Sequence, residues 1–209
     1  MQYSDLKNNF TSILNRRDIT TSQINLFMQM AIQRIQRNLR VPAMEVTASV
    51  STDGTGNVPV PGDMLEVIAI YANDAINQVK LNRKDLQTAI LSSNQIGIPD
   101  KYHRNGGNFL IGPVPVAGTT LYINYYQDAG GLSADTDHNW ITDAAPDLLI
   151  YGALCRAADY FLDDRKQAFE DTYSQIEEDL RQMALQDELI NATMSNCFDT
   201  DTPYYQNGW

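Results

Sequence analysis

The chain has 209 residues, 43% of them hydrophobic, which permits one ordinary domain or two small ones with a real core and argues against global disorder. Its formal charge of −11 argues against broad phosphate binding, since grip on nucleic acid rests on Lys and Arg displacing counterions, although an acidic protein can still surround DNA without holding it. Cys155 and Cys197 form no CxxC pair, no apolar run could span a bilayer, and the N-terminus lacks a signal-peptide pattern; a disulfide framework, a zinc site, a membrane span and export are not expected.

Tyr3 to Asn15 reads as a short amphipathic helix with Leu6, Phe10, Ile13 and Leu14 on one stripe and Ser4 as its N-cap. A second helix is expected from about Thr21 to Leu39, capped by Thr21 or Ser22, with Ile24, Phe27, Met28, Ala31, Ile32, Ile35 and Leu39 facing a core. Arg34, Arg37 and Arg40 line another face, suited either to DNA or an acidic partner, or to ordinary salt bridges with the acidic C-terminal helix. Pro42 closes this helix, and from Met44 the period changes to two. Val46, Ala48 and Val50 alternate with polar residues, Asp53-Gly54 turns, and Asn57 to Pro61 returns as an edge-like segment. Leu65 to Tyr71 is a stronger strand with Gln78 to Leu81 as its partner. Asn82 or Arg83 to Leu91 reads as a small helix. A hairpin across Asn105-Gly106-Gly107 and a last strand, Thr119 to Tyr126, complete the β-rich middle.

Asp143 to Asp164 reads as a single helix with Asp143 as cap and Pro146 in its first turn. Leu148, Tyr151, Leu154 and Phe161 belong to a face so wide that the helix must be buried, either in its own bundle or between molecules. A long helix to about Asn191 follows, with Phe169, Tyr173, Ile176, Leu180 and Met183 as a coiled-coil-like seam. Glu170, Asp171, Glu177 and Glu178 recur at seven residues, which places them on one exposed face: a solubilising surface, or an acidic channel wall or subunit contact. From Thr193 the composition turns polar, yet Phe198, Tyr204, Tyr205 and Trp209 are large anchors that suit ordering on a partner. The expected fold is α+β: a discontinuous helical bundle (1–42 and 140–192), a β-rich insertion (43–139) and an extended C-terminal arm (193–209).

Catalytic chemistry finds little support. Gly54-Thr55-Gly56 leads into Asn-Val-Pro and fails as a phosphate loop. Asp135, Asp137 and His138 could hold a divalent cation or act as an acid–base pair, but the stretch lacks the glycine and distal glutamate of an EF-hand calcium loop. With His103 and His138 the only histidines, a His-based triad is not expected, and no catalytic, cofactor or metal residue is assigned.

A collinear set of short matches runs along the chain: Tyr3-Ser4-Asp5-Leu6, Arg37-Asn38-Leu39-Arg40-Val41, Val58-Pro59-Val60-Pro61-Gly62-Asp63-Met64-Leu65-Glu66, Gly97-Ile98-Pro99, Ile111-Gly112-Pro113-Val114-Pro115, Tyr125-Tyr126, and Asn139-Trp140 with Ala145-Pro146-Asp147-Leu148. In this succession the chain resembles the tailed-phage head-to-tail adaptor (connector) proteins. The resemblance implies a virion structural protein without enzymatic activity. It would be a ring, usually of twelve copies, assembled in the host cytoplasm, docked on the portal protein and presenting its other end to the tail nozzle or tail-fibre proteins. DNA would pass without sequence-specific binding, and no membrane would be involved. Phe198, Tyr204, Tyr205 and Trp209 are then candidates for a portal-binding arm. An acidic stand-alone inhibitor that mimics DNA charge, and a metal-dependent hydrolase using Asp135, Asp137 and His138, are the alternatives.

Overall fold

The computed structural model describes residues 1–74 and 77–198, with side chains described up to Leu189 apart from residues 74 and 77. In chain order the elements are α1 (Tyr3–Leu14), α2 (Thr21–Asn38), a 3-10 turn (Pro42–Met44), β1 (Glu45–Ser51), β2 (Asn57–Pro59), β3 (Met64–Asp74), β4 (Asn77–Lys80), β5 (Asn82–Arg83), α3 (Leu86–Ser92), β6 (Lys101–Asn105), β7 (Asn108–Gly112), β8 (Thr120–Gln127), α4 (Trp140–Ala144), α5 (Pro146–Phe161) and α6 (Lys166–Phe198). This is an α+β fold, with α1, α2 and α4 to α6 at the two ends of the sequence and the strands, interrupted by the short α3, between them.

The helical core is built around α5. Leu148, Leu149, Ala153, Leu154, Cys155 and Ala157 are buried there beneath the stripes of α1 (Leu6, Phe10, Leu14), α2 (Phe27, Met28, Ala31, Ile35) and α6 (Phe169, Tyr173). Gly152 allows the close approach. A Cβ at this position would lie 3.1 Å from the Ala31 Cβ and 3.2 Å from the Tyr173 ring.

In the bundle three helix starts differ from expectation, because other groups close their first turns. Ser4 does not cap α1. Instead the Tyr3 and Ser4 N–H groups donate to the carbonyls of Asp137 (3.1 Å) and Asp135 (3.0 Å), so a loop far along the chain closes the first turn. Thr20 rather than Thr21 or Ser22 caps α2, in a capping box with Gln23. Asp143 does not cap the following helix either. Asn139 and Thr142 form a box that opens α4, Pro146 drives Ala145 out of helical geometry (φ −146°, ψ 59°), and α5 starts afresh with Pro146 in its first turn. At the other end α6 continues to Phe198, past the expected stop near Asn191 and into the stretch assigned to the extended arm. No proline or glycine lies between Asn191 and Phe198, and propensity penalties of a few tenths of a kcal/mol do not stop an established helix.

The strands form two four-stranded sheets, ordered β1-β8-β3-β4 and β2-β7-β6-β5. All pairs are antiparallel except β5 with β6. Val58, Ile70, Leu81, Tyr102, Phe109, Ile111, Leu121 and Ile123 share the core between the sheets. Asn82 and Arg83, expected to open the small helix, pair with Lys101 and Tyr102 as a strand. Asp85 caps α3 by accepting from the Thr88 N–H (3.0 Å) and hydroxyl (2.8 Å). Along β8 the pleat divides the two cores: Tyr125 points into the sandwich, whereas Tyr126, with Leu65 of β3, packs on the helical core.

Candidate assembly surfaces

Leu148 and Leu154 are fully buried inside the chain's own bundle and leave no surface for a neighbour. The face expected to lie either within one molecule or between molecules is covered by α1, α2 and α6 of the same chain. Tyr151 and Phe161 are half-buried. Tyr151 borders an open groove of about 250 Å³ with Asn9, Ser12, Ile13, Asp147 and Ile150. Phe161 packs edge-on to Phe27 and Tyr160, with the Arg16 guanidinium 4.2 Å from its ring centre.

The four acids of α6 do not share one face. Adjacent helical residues are about 100° apart, so each pair straddles the border of the Phe169–Tyr173–Ile176–Leu180 seam. Glu170 turns inward and accepts two hydrogen bonds from Arg34 of α2, at 3.1 and 2.7 Å. Arg34 also lies 3.9 Å from the Tyr173 ring centre. Hydrogen bonding to Arg34 holds the Glu170 carboxyl below its usual range, while burial and then the Glu170 charge push the neighbouring Cys155 thiol up to about 12. Glu177, also half-buried, accepts from Arg181 at 2.6 Å, and Arg181 reaches across to the Asn38 carbonyl. Asp171 and Glu178 face solvent, and their hydrogen-bond partners are the uncharged Gln167 and Gln182. Met183, expected in the seam, is 63% exposed, because α2 has already ended at Asn38. Of the candidate arm, Tyr204, Tyr205, Trp209 and the Phe198 side chain lie outside the described residues.

Asp135, Asp137 and His138 do not converge. Asp135 pairs with Lys7, His138 lies 3.2 Å from Asp143, and the Asp137 carboxylate accepts from the Ser133 and Ala134 N–H groups, which hold its pKa down. They staple the loop that caps α1. Among the described residues no group of three or more His, Cys, Asp or Glu side chains is placed to hold a metal ion.

Two surfaces were not foreseen. At the end of the sandwich away from the bundle, Ile98 and Val116 line an apolar cleft of about 190 Å³, with Ile96, 85% exposed, beside them. Scattered single apolar residues in turn-rich sequence gave no signal of it. The second is basic. Five of the 15 Lys and Arg residues, but only two of the 26 Asp and Glu, fall between Lys80 and Arg104, a charge block that counting along the chain would have found.

A family model described as SU10 adaptor protein matches residues 1–196. The chain belongs to that family of phage head-to-tail adaptors. No curated protein matches it. As a member of a structural family, the adaptor is a virion component of the neck, acting between head and tail. No helix among the described residues is long and apolar enough to cross a membrane.

Proposed function

We propose that the adaptor forms a closed ring of twelve copies that docks on the portal protein, extends the DNA channel and presents its far end to the tail nozzle or tail-fibre proteins. Assembly would take place in the host cytoplasm. The family match over residues 1–196 carries this reading. The bundle supports it: with α5 enclosed by helices of one chain, copies meet as folded bodies through their surfaces. A ring then needs two different complementary patches whose rotation closes. The chain's −11 charge suits a channel that DNA traverses without sequence-specific adhesion. Electron micrographs and mass measurement of the purified chain mixed with its portal test the reading. The expected result is a ring seated on the portal; absence of any complex at micromolar concentrations removes it. The aromatic residues Tyr204, Tyr205 and Trp209 serve in this reading as a portal-binding arm, with Phe198 at its root. Deleting the residues after Phe198 should weaken docking roughly tenfold or more while the melting temperature stays unchanged. Undiminished docking would take that role away from the arm.

A further inference from the structure

Resting on the ring reading, we infer that the basic edge formed by β5 and β6 is one half of the contact between neighbouring copies, and that it seats the outward acidic row of a second copy's α6. Arg83 and Arg104 line one cleft of about 120 Å³ together with Tyr102 and Phe109, whose rings meet edge-on. Both arginines are exposed, and both are placed by strand pairing rather than by a loop: Arg83 sits opposite Tyr102, and Arg104 opposite Phe109. Lys84 extends the same edge, tied down by its N–H to the Tyr102 carbonyl (2.9 Å) and its carbonyl to the His103 ring (2.9 Å). Among the described residues none of these three cations has a carboxylate within ion-pair distance. The one carboxylate lining the cleft, Glu66, is already held by Arg40 at 3.1 Å.

The complementary surface is on the same chain. Asp171, Glu178 and Asp179 are exposed on α6 and have no cation partner among the described residues; glutamine side chains hydrogen-bond to each of them. Asp171 and Glu178 are separated by about 10 Å along the helix. Among the described residues no ion pair joins this row to the basic edge within one chain, which leaves the two patches of opposite sign to meet between copies. One patch of each sign on every copy gives the head-to-tail, self-propagating contact that a ring requires. Arginine forks matched to carboxylates would set its register. Duplex DNA is the competing occupant. Three cations on a chain of −11 make a small footprint for a polyanion, whereas a short row of carboxylates is matched to them in charge.

Charge reversal in full-length protein decides it, read by sedimentation velocity of the chain alone and with its portal. Arg83→Glu with Arg104→Glu should raise the concentration for half-assembly roughly tenfold or more, and so should Asp171→Lys with Glu178→Lys. An equimolar mixture of the two variants should assemble as the parent does, because alternating copies then present opposite charges at every contact. Parent-like assembly by either variant alone overturns the inference, and so does failure of the mixture to recover. Loss of duplex-DNA retention by the arginine variant with assembly intact assigns the edge to nucleic acid instead. If the parent chain itself never assembles, alone or on the portal, the ring reading falls and this inference with it.

Discussion

Arg34 balances the charge at the contact between α2 and α6. Its guanidinium neutralises Glu170, covers the Tyr173 ring and lies near Cys155, with the Glu170 side chain only 28% exposed. Removing one member of a half-buried pair leaves the other charge without compensation, whereas replacing both with apolar groups leaves none. Arg34→Met is therefore expected to cost about 1–3 kcal/mol in urea unfolding, and Arg34→Met combined with Glu170→Leu to regain most of it. Equal losses in the single and double variants would show that packing on Tyr173, and not charge, is what matters. Salt bridging of this arginine row to the C-terminal helix was one of the readings that spacing allowed, and Arg34 follows it. Arg40 does not: it bonds the last carbonyls of its own helix and Glu66 of β3. Which carboxylate each arginine takes depends on how α2, α6 and β3 come together, and local sequence carries no record of that.

Elements with a strong internal period were legible: the apolar stripes of α2 and α5 and the alternation in β1 all appear where spacing placed them, and β8 lies where a strand was expected. Their ends were not. The first turn of α1 is closed by carbonyls from the loop before α4, and Asn82-Arg83 became a strand only because β6 lies beside it. Close packing of α3 on β7 was equally hidden, although it rests on a single glycine. A Cβ on Gly112 would stand 2.6 Å from the Ser92 Cβ and 2.9 Å from the Ser92 carbonyl carbon, so backbone would have to move. Gly112→Ala should destabilise by about 1–3 kcal/mol. Gly107→Ala, where a Cβ meets nothing within 4 Å, should stay within about 0.5 kcal/mol of the parent. Thermal unfolding of the two variants compares them, and a tolerated Gly112→Ala would mean that α3 shifts readily on the sheet.

For the whole molecule, the order helices, strands, helices already implied a bundle interrupted by a β unit. What it left open was whether α5 would be enclosed by its own chain or by neighbours; the answer follows from the long-range meeting of α1, α2 and α6 around it. The candidate surfaces were the least legible part: the tip at Ile98 and Val116 gathers scattered single apolar residues, and the cationic block between Lys80 and Arg104 becomes one edge only when β5 pairs with β6. The split bundle also has a consequence for biosynthesis. The first two helices wait for roof and cap until the chain from Asn38 to Pro146 has been made, on the order of 5–20 s at roughly 5–20 residues per second. During that interval the intervening sandwich has every strand it needs. On ribosomes stalled once Asn139 has emerged, residues 45–127 should already resist protease while the segment before them is still cut, and early protection of that leading segment would show that the two helices mature without their later companions.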